Sequence, residues 1–421
     1  MGKSRAATVY FILTAVTSLS YSMIFAIDLP YQIETVGLNP LQLTLVATVL
    51  QAVTFCCQAP TGVLADMYSR RWAVVAGCLL VGVNFLVEGL FPSFLAILIA
   101  QILRGIGATM MNGADSAWIA DELGEERVSQ VYMRAAQVGS IASLLGIVLS
   151  TALAQISLNL PVVLGGGIFA GLSIFLALFM TEHHFTPAPR GKRSSWQHLG
   201  YTLRTSLQLV RSRPILLTIL GIGAFYGIFS VGFDRLWPYH LLHHFTFPAL
   251  PGGLKAVAWF GIIEAGIVVT NLCGTEIVRR SINTNRPRAV AWTMFAIDGL
   301  TIAGIIAFAL AGQFALALTA FWLITTVLGP RMPLERIWLN QHLASNVRAT
   351  VFSLRGQVDA LGQIIGGPIL GAIATATTSS NALISASLIL VPALFLYLLS
   401  LRAPTQQANA TMNNQQYIRS P

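Results

Sequence analysis

Charge is what this chain has least of. Of its 421 residues only 10% are Asp, Glu, Lys or Arg, while 55% are hydrophobic and the mean hydropathy is +0.70. A soluble domain carries roughly 25% charged residues, so this composition excludes a water-solvated globular fold. Cysteine is equally scarce. Cys56, Cys57, Cys78 and Cys273 all lie in apolar stretches without the spacing of a zinc site, and they read as free buried thiols with no metal expected. A nucleotide-binding loop is missing, which points to an ion gradient rather than ATP as the energy source. No nucleophile–base pair or metal-ligand cluster falls at one depth, which argues against an enzyme, and no cofactor is expected. The apolar–polar alternation of a membrane barrel does not dominate. No A-x-A site follows the first apolar run, so "MGKSRAAT" opens a membrane helix and not a cleaved signal.

What is present in quantity is apolar sequence in runs of the length a bilayer core requires, about 20 residues. Breakers divide it into twelve helices, near 8–33, 41–65, 72–92, 94–122, 129–157, 160–181, 214–243, 254–278, 288–311, 314–342, 349–376 and 381–401. The expected fold is therefore an all-α polytopic membrane protein with two pseudo-symmetric six-helix bundles. The bundles cover 1–181 and 214–401, joined by a linker at 182–213 and followed by a tail at 402–421. "TLRTSLQLV" within the basic linker suits a short amphipathic helix on the membrane surface. With the N-terminus inside, the cytoplasmic segments hold Lys3, Arg5, Arg70, Arg71, Arg127, the linker cluster, Arg279, Arg280, Arg286, Arg288, Arg348, Arg402 and Arg419. The outer loops hold only Lys255. This positive-inside bias puts both termini in the cytoplasm and the chain in the plasma (inner) membrane. The net charge of +9 is then topology and anionic-lipid contact, and no nucleic acid partner is expected.

An offset of 220 residues aligns Asp115–Ala154 with Glu335–Ala374. Trp118, Leu123, Val131, Gln137, Val138, Gly146 and Ala154 meet identical residues at Trp338, Leu343, Val351, Gln357, Val358, Gly366 and Ala374. Together with two six-helix halves and a basic central linker, this suggests a parallel duplication, an arrangement found in transporters.

The turn "PTGVLADMYSRRWAV" places Gly62, Asp66, Arg70 and Arg71 between helices two and three. Gly62 would let a neighbouring helix approach. Asp66 could accept from free amides at a helix N-terminus, and Arg70 could fork onto Asp121 or Glu122, which end helix four on the same side. Gly62, Leu64, Asp66, Arg70 and Arg71 resemble the G-x-L-a-D-r-x-G-R-R signature of the major facilitator superfamily, with Ser69 where that family usually has glycine. "LRGIGATMMNGADSAWIADEL" is similar to the fourth helix of the family's bacterial tetracycline- and macrolide-type efflux branches, and "NVRATVFSLRGQVDALGQIIGGPILGAIA" resembles its eleventh. The resemblance implies a twelve-helix transporter in which this turn latches the cytoplasmic gate. A G-x-x-x-G-P-x-x-G-G run expected on helix five is absent. Gly139 and Gly146 stand there, and a comparable run, Gly362, Gly366, Gly367, Pro368 and Gly371, lies on helix eleven.

A charge at mid-bilayer costs about 2.5–3.5 kcal/mol on the insertion scale, so intramembrane charges mark partners or a watery cavity. Arg104, Met111, Asp115, Trp118 and Glu122 share one helical face, and Arg331, Glu335, Trp338 and His342 repeat its last four positions. Both stripes are expected to turn an acid and an indole into one cavity, although Arg331 and Glu335 could equally neutralise each other across one turn. Asp28 and Asp234, the latter beside Arg235, each precede a Pro-Tyr pair, and Glu264 and Asp359 fall mid-helix. Any of these acids could carry a proton. Glu88 and Asp298 rank lower, because the family places helices three and nine peripherally. Trp118, Tyr226, Trp237 and Trp338 suit a cavity for planar or cationic solutes. His240, His243 and His244 read as an interfacial, pH-sensitive rim.

The leading expectation is a secondary transporter working by alternating access, a monomer in the lipid bilayer whose export of drug-like or amphipathic small molecules is coupled to protons. The alternative is a proton-coupled uptake symporter for a metabolite, whose cavity should be richer in amides and paired charges. A membrane-embedded enzyme or receptor ranks third.

Overall fold

The computed structural model describes residues 2–185, 214–343 and 345–402. The linker's surface-helix segment and the tail lie outside these residues. Among the described residues there is no strand, and twelve helices are long and apolar enough to cross a membrane. They are α1 (Ser4–Thr35), α2 (Pro40–Met67), α3 (Arg70–Leu90), α4 (Phe94–Leu123), α5 (Glu126–Ala154) and α6 (Leu160–Phe179) in the first half. The second half holds α7 (Ile215–His244), α8 (Ala258–Ser281), α9 (Pro287–Ala309), α10 (Phe314–His342), α11 (Val351–Ala376) and α12 (Ser379–Leu401).

The starts follow from local chemistry. Asn39 and Gln42 form a capping box ahead of α2, with Pro40 at the first helical position, where its missing N–H costs nothing. Ser69, Ser93 and Thr378 cap α3, α4 and α12 by accepting from Trp72, Ala96 and Asn381 amides. Several helices are interrupted. α1 turns at Ala26–Ile27 and continues through a π-helical turn at Tyr31–Thr35, with Pro30 between. α4 breaks at Asn112–Gly113, where Gly113 has φ 83°, and α10 breaks at Gly329–Pro330.

The halves share a packing plan. α1 lies along α5, and α7 along α11, at glycines that the 220-residue offset makes equivalent. A Cβ on Gly146 would stand 3.0 Å from Met23 N, and one on Gly366 2.8 Å from Ile228 Cα, so neither position has room for a side chain. Among the described residues, hydrogen bonds between the halves lie on one side. At the face opposite the termini, Leu41 N donates to Thr375 Oγ1 (3.1 Å) and Lys255 N to Gln155 Oε1 (2.8 Å). Deeper in, Gln51 Nε2 donates to Gln363 Oε1 (2.6 Å). At the termini face, the ends of α4 and α10 pack against helices of their own half. This conformer is closed opposite the termini and spread on the side that bears them.

Candidate functional site

Between the halves lies a cavity of about 410 Å³, lined by α1 (Phe25, Asp28, Leu29), α2 (Ala47, Leu50, Gln51) and α4 (Arg104), and by α7 (Val231, Asp234, Arg235, Trp237), α8 (Glu264) and α11 (Gln363). The volume falls in the range of small-molecule sites, roughly 300–1,000 Å³. Four of the sequence-selected charges, Asp28, Arg104, Asp234 and Glu264, converge there. Arg235 and the amides Gln51 and Gln363 join them without having been singled out as lining residues.

The cavity's charges are largely free. Asp234 is exposed into it, and Asp234, Arg235 and Glu264 make no hydrogen bond or ion pair among the described residues. Arg104 is held by weaker means. Its guanidinium lies over the rings of Phe25 (4.7 Å) and Phe85 (5.4 Å), and Nη1 reaches Gln101 Oε1 at 3.4 Å. Unpaired charge in a membrane persists where water or a charged solute can meet it.

The remaining selected acids stand elsewhere. Glu335 accepts from Arg355 on two oxygens and from Arg331 Nη1 (3.4 Å). Arg331 Nε donates to Asp298 Oδ1 (3.0 Å), Tyr397 donates to Asp298 Oδ2 (3.1 Å), and Arg355 pairs with Asp359 (3.0 Å). Gln363 Nε2 donates to Asp359 Oδ2 at 3.0 Å. A chain of alternating charge therefore runs through the second half from Tyr397 to the cavity wall. Asp298, which sequence ranked low, is fully buried in it. Asp115 belongs to no such chain and accepts from its neighbour Ser116.

The indoles depart from expectation. Trp118 is buried in the first half and donates to Thr181 O (2.7 Å), while Trp338 is buried in the second against Tyr397. Neither lines the cavity. The stripe assumed an unbroken helix, and the break at Asn112–Gly113 separates the phase of Arg104 from that of Asp115 and Trp118. Tyr226 lies under Arg331, its ring centroid 3.4 Å away, outside this lining set, and Trp237 is the one of the four that reaches the cavity. His240 is buried beside Ser379 Oγ (3.1 Å), and His243 stacks on Tyr239.

At the termini face the α2–α3 turn is a network. Arg70 pairs with Asp121 and reaches back to Asp66 (3.2 Å), while Arg71 Nη2 donates to Ala177 O (2.5 Å). The α3 amides are taken by Glu182, which sequence reasoning missed. It accepts from Ser69 Oγ (2.5 Å), Arg70 N (2.8 Å) and Arg71 N (3.2 Å). Glu122 turns away from Arg70 and accepts from His183 N (2.6 Å) and His184 N (3.1 Å). Gly62 has open space around it in this conformer and receives no neighbouring helix. The side chains of Val347, Ala349 and Thr350, toward which an Asp66 latch would point, lie outside the described residues.

Comparison with known proteins agrees with this architecture. A model of the Major Facilitator Superfamily matches residues 10–355. The chain belongs to the Major Facilitator Superfamily. It is 22% identical over 363 residues to the uncharacterized MFS-type transporter YxaM of Bacillus subtilis, covering 85% of this chain and 86% of that one. Over a shorter stretch of 121 residues it is 29% identical to the MFS-type transporter MJ1560 of Methanocaldococcus jannaschii, covering 28% and 31% of the two chains. Among solved structures, it superposes on an inward-facing, occupied bacterial homologue of the human lysosomal transporter Spinster with a TM-score of 0.73 at 14% identity, covering 96% and 98%. The nucleoside transporter NupG gives 0.72 at 13% identity, covering 95% and 100%. At these identities the likeness is one of fold. The chain is a multi-pass membrane transporter of this superfamily.

Proposed function

We propose that this protein is a proton-coupled secondary transporter of a small polar solute carrying both an anionic and a cationic group. The observation that carries the reading is the cavity lining. Arg104 and Arg235 stand in the same space as Asp234 and Glu264, with Gln51 and Gln363 between the halves. Two fixed cations and neighbouring unpaired carboxylates match a zwitterion, whose own charges would replace the missing partners. An amphipathic drug would leave most of them unsatisfied, so the lining favours the metabolite reading over drug export. Phe25 and Trp237 supply apolar walls for a short carbon skeleton.

The positive-inside bias supports termini in the cytoplasm of the plasma (inner) membrane, and in that orientation the described conformer is inward-open. The Gln51–Gln363 bond and the contacts at Leu41 and Lys255 then form the outer closure. The chain works as a monomer, one cavity per molecule, because both halves needed to line the cavity come from one chain. The test is solute uptake into proteoliposomes under an imposed pH gradient, using a panel of radiolabelled amino acids, short peptides and amphipathic cationic dyes. Accumulation of a zwitterion, abolished by a protonophore and by Arg104→Ala or Arg235→Ala, supports the reading. Transport of the dyes alone, unaffected by those substitutions, contradicts it and restores export.

A further inference from the structure

Behind the cavity wall, the first half holds a second polar cluster. Gln32 Nε2 donates to Glu88 Oε1 (2.6 Å) and to Asp28 Oδ1 (3.2 Å), and Gln101 Nε2 donates to Glu88 Oε2 (3.3 Å). Tyr31 OH fixes the same turn of α3 by donating to Glu88 O at 2.8 Å. Asp28, Gln32, Glu88 and Gln101 are all at most 3% exposed, and the single Gln32 amide bridges the two carboxyls. We propose that Asp28 and Glu88 form a carboxyl pair that holds one exchangeable proton, with Asp28 as its door to the cavity.

Charge and bonding both require a ligand there. Two ionised carboxylates in one dry site repel, and among the described residues neither accepts from an arginine. Arg104, the cation of the neighbouring α4, spends its contacts on Gln101, Phe25 and Phe85. With Arg235 it sets two cations against the four carboxyls of Asp28, Glu88, Asp234 and Glu264, so negative charge stays in surplus. A proton on either carboxyl lowers that surplus and supplies an O–H donor. The second sign is independent of the acids. Gln32 Oε1 is fully buried and has no hydrogen-bond partner. Rotating that amide half a turn would present the oxygen to a protonated Glu88 in place of the N–H that an ionised Glu88 accepts, so the amide can follow the proton.

The surroundings make the exchange directional. Asp28 lines the cavity and Glu88 does not. From α7, Arg235 and Asp234 face Asp28 across the cavity, α8 adds Glu264, and α2 and α11 bring only Gln51 and Gln363 to it. Glu34 and His243 lie farther along α1 and α7. The parts of α5 and α6 packed on α1 and α3 at this depth carry no charged residue. An anionic solute group on Arg104 and Arg235 would remove the positive field from Asp28 and favour proton uptake. The solute and proton would then load together.

This proposal rests on reading the cavity as the transport site, but its test needs no solute. The purified full-length protein in lipid bilayers is titrated with acid and base while the carboxylic C=O stretch is followed by infrared difference spectroscopy. The expected result is a protonated-carboxyl band at neutral pH that shifts when the chain carries either 13C-glutamate or 13C-aspartate, and that is lost in Glu88→Gln and in Asp28→Asn. Glu264→Gln should leave it in place. A band that responds to neither label, or that persists and titrates as in the wild type in both Glu88→Gln and Asp28→Asn, overturns the pair. A band that sodium displaces at constant pH overturns the proton in favour of a metal cation. The isotope arm uses the wild-type chain, so poor folding of a variant cannot decide the matter. A failure here with proteoliposome uptake intact would refute the pair alone.

Discussion

The two halves share a packing plan and differ in how they handle buried charge. In the second half, Asp298, Arg331, Glu335, Arg355 and Asp359 alternate in sign along one chain, each acid meeting an arginine. In the first, Asp28 and Glu88 share amides, and Arg104 touches aromatic rings in place of carboxylates. A chain of opposite charges is mutually satisfied. Two acids around one amide are left short of a cation and can respond to a proton. One half thus holds its buried charges as a paired frame, and the proposed carboxyl pair makes the other the responsive half.

The largest expected effect breaks the frame. Arg331→Ala leaves Asp298 buried without its cation, a loss of about 3–5 kcal/mol for one partner of a buried pair. Thermal unfolding of the purified protein should show a marked fall in Tm, with Asp298→Asn in the same chain recovering part of it. Glu88→Gln removes a charge from a crowded site and should leave Tm unchanged or raised. The reverse order of these two variants would undo the comparison.

Next come the glycines that the halves share. Leucine at Gly146 or at Gly366 forces α1 from α5 or α7 from α11, an overpacking that costs about 1–3 kcal/mol. Similar losses in the two variants would confirm equivalent contacts, and tolerance at one alone would show that only the other half keeps the close approach. A smaller effect is expected at the termini face. Glu182→Ala removes the cap of α3 and should cost about 1 kcal/mol, whereas Gly62→Ala, in open space, should fall within about 0.5 kcal/mol of wild type. A larger cost at Gly62 would mean that the unfolding reaction starts from a conformer in which α2 is closely packed.

Much of this was legible in the residues. The twelve spans followed from run length and breakers, and the intramembrane acids were found by their cost in lipid. The matched glycines Gly146 and Gly366 both fall at close helix contacts. What escaped was orientation and long-range pairing. The Arg104–Glu122 stripe was drawn on a continuous helix, and the left-handed Gly113 reset its phase, so Arg104 meets the cavity while Trp118 turns into its own half. Glu182 caps a helix that begins 112 residues earlier in the chain, and no local pattern encodes that. Arg355, Asp359 and Gln363 do step by four, a signal that periodicity could have supplied for the chain that reaches the cavity. Glu88 was set aside because of its helix's expected position, although its burial depends on Gln32 and Gln101 from two other helices.

The central claim is that protonation of the Asp28–Glu88 pair shifts the balance between the two closures of one cavity. Its most direct test is the distance between spin labels at Glu126 and Asn283, exposed on the termini face of opposite halves, in a chain whose native cysteines are replaced by alanine. The wild-type background should show two distance populations whose ratio changes with pH, and Glu88→Gln should hold one population at every pH. Two populations that exchange with pH equally well in Glu88→Gln would contradict the account.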